Sequence, residues 1–113
     1  MEMLVTELPG PAIGVELVGR LDTLGVDAVE TRFNATALAS GQNALVDMSR
    51  VEFVSSMGVR LLITAAKTMK ARQRRLLMVV PEGPVREMLE TAAIDTLIPM
   101  FVRREEALAV LAR

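Results

Sequence analysis

The segment Phe53-Val54-Ser55-Ser56-Met57-Gly58-Val59-Arg60 sets two hydroxyls side by side where an apolar run gives way to helical spacing. A serine at such a junction can act as a nucleophile, be modified, or cap the helix with its oxygen. The nucleophile reading fails. An elbow needs G-x-S-x-G and a histidine, and this 113-residue chain has no His. It has no Cys either, so disulfides, thiolate clusters, His-ligated metal sites and His-based acid–base chemistry are excluded. What remains for Ser56 is modification by another protein. A phosphoryl group there would sit at a helix N-terminus, where free amides and the macrodipole favour an anion. It would add about −1.5 to −2 charges. Capping is the structural alternative for the same serines.

Helical projection extends the candidate site. Arg60, Thr64 and Lys67 follow Ser56 at steps of four, four and three, forming one stripe that begins at the serine. Arg60, one turn on, could steady a phosphate or meet a partner's acid, whereas a solvated helix face explains the stripe equally well. Gly58 allows close backbone approach or tight helix packing. Met57 is open between core and contact surface. A second candidate, Gly19-Arg20-Leu21-Asp22-Thr23, reads as a strand end with a helix cap. The glycines lie too far apart for a phosphate loop.

The elements that must position these residues follow from periodicity. Residues 3–8 and 11–18 read as strands split by Pro9-Gly10-Pro11. Asp22 or Thr23 caps a helix from about Leu24 to Ala39, with Leu24, Ala28, Phe33 and Leu38 as its apolar face, ended by Ser40-Gly41. Ala44-Leu45-Val46 is a short buried strand, Asp47 to Glu52 a connection, and Phe53-Val54 the approach to the serines. The second helix carries Val59, Leu62, Ile63, Ala66 and Met69 at spacings of three and four and runs to about Gln73. Leu76 to Val80 forms a strand, Pro84 to Ala92 a helix, Leu97 to Phe101 a strand and Arg103 to Ala112 a terminal helix. The order β-β-α-β-α-β-α-β-α calls for crossovers, hence an α/β fold with a mostly parallel mixed sheet of about five strands covered by helices. One domain spanning 1–113 is expected.

Composition supports a globular chain: 51% of residues are apolar, only 3% are aromatic, and the net charge is −1. Bulk electrostatic binding to nucleic acid is not expected, and base-stacking platforms would need aromatics. No apolar run approaches the ~20 residues of a membrane span. Met1-Glu2-Met3-Leu4-Val5 has no charged n-region, so a cytoplasmic location is expected. The total charge hides a dipolar chain, because residues 54–81 hold six basic side chains and no acidic one. Placement near a helix C-terminus accounts for Lys70, Arg72, Arg74 and Arg75.

Leu17-Val18-Gly19-Arg20-Leu21-Asp22 resembles the L-x-G-x-L-D signature of STAS domains, the anti-sigma factor antagonist family. Residues Val46 to Leu62 are similar to its central D-L-S-x-V-x-F-I-[DS]-S-[SA]-G-L-R-L-L pattern, and Val85 to Leu108 to its C-terminal third. Many members have Asp before the modified serine, where this chain has Ser55. The resemblance implies a non-enzymatic anti-anti-sigma factor with no cofactor and no metal. Its implied partners are an anti-sigma factor with a serine-kinase ATPase domain and a metal-dependent serine phosphatase, with neither nucleic acid nor membrane involved. Ser56 is the implied phospho-acceptor and Ser55 the lesser candidate. Asp22, Ser55, Ser56, Met57, Gly58, Arg60, Thr64 and Lys67 form the expected partner face, on a monomer or weak homodimer. The alternative is a STAS subunit that regulates a lipid-transport ATPase or a stress-signalling assembly without a phosphoswitch.

Overall fold

The break at Pro9-Gly10-Pro11 makes a hairpin, in which β1 (Glu2–Leu8) pairs antiparallel with β2 (Ala12–Leu21). The computed structural model describes residues 1–113, apart from the side chain of Leu38. From β2 onward every pairing is parallel, through β3 (Asn43–Val54), β4 (Leu76–Val79) and β5 (Met100–Phe101), in the order β1-β2-β3-β4-β5. The crossovers are α1 (Thr23–Phe33), α2 (Ser56–Ala71) and α3 (Pro84–Thr91), with α4 (Arg104–Leu111) closing the chain. The α/β class, the mixed five-stranded sheet and the order of elements agree with the sequence reading.

The sheet has two unequal sides. Leu17, Leu21, Val46, Met48 and Met78 pack against Phe33 of α1, Leu62 and Met69 of α2 and Leu89 of α3, all buried. Burying such side chains contributes roughly 1.5–3 kcal/mol each, so α1 and α2 are held by packing more than by propensity. On the other side, Leu45, Leu77 and Val79 meet Ala107 and Leu111 of α4.

Three expectations are corrected. Asp47 to Glu52 is strand, not connection. β4 pairs with β3 only from Ala44 to Asp47, so beyond that point β3 has β2 as its one neighbour and can alternate polar with apolar residues. The pairing also shifts twice there, between Glu16 and Val18 and between Gly19 and Arg20, with an extra β3 residue each time. Gly19 meets the second bulge with φ +114, a conformation L side chains rarely adopt. The first helix stops at Phe33 and continues as a wider π-helical turn, Asn34–Leu38, with the Ala39 N–H donating to the Asn34 carbonyl. Its predicted apolar face is rotated, since Val26, Val29 and Phe33 are buried while Leu24 and Ala28 face solvent. The predicted Leu38 contact lies outside the described residues. Finally, the last strand shrinks to Met100–Phe101, because the 3-10 turn at Ile94–Thr96 also engages the Leu97 and Ile98 N–H groups, which donate to the Ile94 carbonyl.

Asp47 explains how a carboxylate sits inside β3. It is 8% exposed and accepts from the Ser49 N–H and hydroxyl, while its other oxygen lies 3.3 Å from Arg104 at the start of α4. The side chain thus pins the first bulge and the last helix together. Asp47→Ala strips both of this partner, and a loss of about 2 kcal/mol in unfolding free energy is expected. Chemical denaturation measures it; an unchanged midpoint would show that the contacts carry no stability.

Candidate functional site

The strands β2 and β3 run parallel and end side by side, so α1 and α2 start side by side at their carboxyl ends. The two helix starts follow one plan. Asp22 caps α1 through Oδ1, which accepts from the Gly25 N–H at 2.9 Å. Ser55 caps α2 through Oγ, which accepts from the Gly58 N–H at 3.3 Å. A hydroxyl residue follows each cap (Thr23, Ser56), then an exposed apolar residue (Leu24, Met57), then a buried glycine. Both glycines face the end of β2. A β-carbon at Gly58 would lie 2.7 Å from the Leu21 carbonyl oxygen, and one at Gly25 would overlap that of Arg20.

This geometry separates the two serines. The Ser55 N–H donates to the Leu21 carbonyl at 2.9 Å, and its hydroxyl donates to the same oxygen at 3.2 Å. Ser55 is therefore committed to the junction. Ser56, one residue on, is exposed, and its hydroxyl has no hydrogen-bond partner among the described residues. Arg60, Thr64 and Lys67 are exposed along the same helix, and Met57 is 37% exposed beside the serine. Gly58 is buried against Leu21, so tight packing accounts for it.

Three neighbours lie outside the expected partner face. The Arg20 guanidinium lies over the Phe53 ring at 4.5 Å and reaches Asp22 at 3.5 Å. The register places Arg20 opposite Phe53, and sequence gives no view of that pairing. Leu24 is 79% exposed on the adjoining helix start. The repeat of cap, two residues and glycine was the signal available for it. The Asp22 carboxyl is held below the usual aspartate range, chiefly by the Gly25 N–H and further by Arg20, against a partial desolvation effect. A depressed folded pKa means that the charged cap supports α1 above the ordinary aspartate value. That support is lost as pH falls through the lower folded value.

Among the described residues, no group of three or more His, Cys, Asp or Glu could hold a metal. The family model described as "Mlab, STAS domain" matches residues 4–100. The chain belongs to the STAS domain family. BtrV of Bordetella bronchiseptica, provisionally named an anti-sigma factor antagonist, is 24% identical over 96% of this chain and 93% of its own. An anti-sigma factor antagonist from Mycobacterium paratuberculosis superposes with a TM-score of 0.89 at 21% identity, covering 99% of this chain and 94% of that one. The Bacillus cell fate determinant SpoIIAA, solved in its phosphorylated form, gives 0.71 at 19% identity over 97% and 99% of the two chains. These likenesses establish the STAS fold across the length of the chain. No helix of this STAS domain is long and apolar enough to cross a membrane, among the described residues.

Proposed function

We propose that this STAS domain is an anti-sigma factor antagonist switched by phosphorylation of Ser56. One observation carries the reading. Ser56 is an exposed hydroxyl on the first residue of α2 with no hydrogen-bond partner among the described residues, while its neighbour Ser55 is spent on capping. Unphosphorylated, the domain binds an anti-sigma factor that carries a serine-kinase ATPase domain, and so frees a sigma factor in the cytoplasm. Asp22, Ser55, Ser56, Met57, Arg60, Thr64 and Lys67 form the contact face, Gly58 supports it from beneath, and the whole of 1–113 acts as one unit. The reaction is performed on the domain by its partner, and a metal-dependent serine phosphatase reverses it. The names of BtrV and of the Mycobacterium antagonist support the role, and SpoIIAA was solved in a phosphorylated form.

Incubation with a serine-kinase anti-sigma factor and ATP, followed by intact mass, tests the proposal. The expected result is one added phosphate, retained in Ser55→Ala and lost in Ser56→Ala. Phosphate that persists in Ser56→Ala moves the switch elsewhere. Recovery of a transporter ATPase and no kinase in a pull-down would favour the alternative role as a transporter subunit.

A further inference from the structure

The four cations that close α2 exceed what the helix end requires. Its last carbonyls are already capped by backbone donors: Arg72 N–H to Thr68 and Met69, Gln73 N–H to Lys70, and Arg74 N–H to Met69. Gln73 turns the chain with φ 57 to complete this arrangement. One cation would suffice for the helix dipole. Instead Lys70, Arg74 and Arg75 all line a cavity of about 450 Å³.

The rest of the lining is largely apolar. Leu97, 48% exposed, Pro99 and Val110 supply open apolar surface beside the buried Met69, Leu76 and Leu77. No acidic side chain lines the cavity among the described residues. Two of the cations are held in place. Arg74 Nε donates to the Gly41 carbonyl at 2.7 Å, and an Arg75 terminal nitrogen donates to that of Val110 at the end of α4. Each guanidinium keeps further N–H groups for a ligand. Lys70 is exposed and has no partner among the described residues.

We propose that this cavity binds a single-chain anionic amphiphile, a medium-chain carboxylate whose head meets Lys70, Arg74 and Arg75 while its chain lies along Leu97 and Pro99. The volume suits a small ligand, and a lining of open apolar side chains beside cations suits one with a single charged end. A wholly polar anion would leave Leu97 and Pro99 wet, and a neutral chain would leave the cations unmatched. The cavity is lined from Ala66 onward, ten residues and about 15 Å along α2 from Ser56, so it is separate from the proposed switch.

Calorimetric titration with sodium decanoate at monomeric concentrations tests this, beside decyltrimethylammonium and beside phosphatidylglycerol vesicles. Saturable decanoate binding with a raised thermal midpoint is expected, and none with the cationic analogue. Lys70→Glu and Leu97→Ser, both at exposed positions, should each weaken decanoate about tenfold while keeping the ligand-free midpoint. Ser56→Asp should bind decanoate as the parent does. The proposal is overturned by no response to decanoate, by equal binding of the cation, or by unchanged affinity in both variants. A response confined to vesicles would also overturn it, in favour of a membrane surface.

Discussion

Gly25→Ala is expected to lower the midpoint of thermal unfolding by roughly 10 °C or more, the counterpart of about 3 kcal/mol in a chain of this size. The sign is opposite to the usual one. Within a helix, alanine ordinarily gains roughly 0.5–1 kcal/mol over glycine through reduced unfolded-state freedom and better propensity. Here the added β-carbon overlaps the carbonyl oxygen of Arg20, a backbone atom that no rotamer change can move aside. Either the first turn of α1 lifts from β2 or the strand end shifts, and both loosen the Asp22 cap. Gly58→Ala has the same direction and a smaller size, because part of its contact is with the rotatable Leu21 side chain. Circular dichroism melts decide the matter. A Gly25→Ala midpoint equal to or above that of the parent would mean that α1 is not seated against β2.

Ser56→Asp should weaken binding of the proposed anti-sigma partner about a hundredfold, or ~3 kcal/mol, the range for a charge placed unpaired in an interface. The Asp22 carboxylate on the adjoining helix start adds like charge. Fold stability should move the other way. A carboxylate in the first turn of a helix is favoured by about 0.3–1 kcal/mol, and the exposed Ser56 gives up no side-chain hydrogen bond among the described residues. Weaker binding with an undiminished melting midpoint is therefore the signature. Ser56→Ala should bind much as the parent does. Surface plasmon resonance measures both variants, and undiminished affinity in Ser56→Asp would remove Ser56 as the switch.

The two helix starts of the candidate site were largely legible because caps and strand ends are local. Asp22 and Ser55-Ser56 declare helix starts through residue type and through the apolar spacing that follows. Which serine caps and which is free depends on a hydrogen bond to Leu21, 34 residues away, and only the fold supplies that. Leu24 was misassigned to the core because an apolar residue at helical spacing reads as buried. Its turn of α1 is displaced because Gly25, not Leu24, fits against β2. Asp47 to Glu52 failed as a strand for a related reason. Polar residues interrupt the apolar run just where β4 falls away, and a carboxylate inside a strand is tolerated only through Ser49 and Arg104. Long-range pairing decided each of these cases.

The unequal pairing of β3 also divides the molecule energetically. Its inner stretch, from Ala44 to Asp47, is clamped between two strands, and separating it means disrupting the core. Its outer stretch, ending at Val54, holds one neighbour and then hands over to the serines. Fewer backbone bonds must break to open that end, so its fluctuations draw on a fraction of the global unfolding free energy. Ser56 follows that singly paired end directly, while Met48, Val51 and Val54 of the same stretch stay buried in the core.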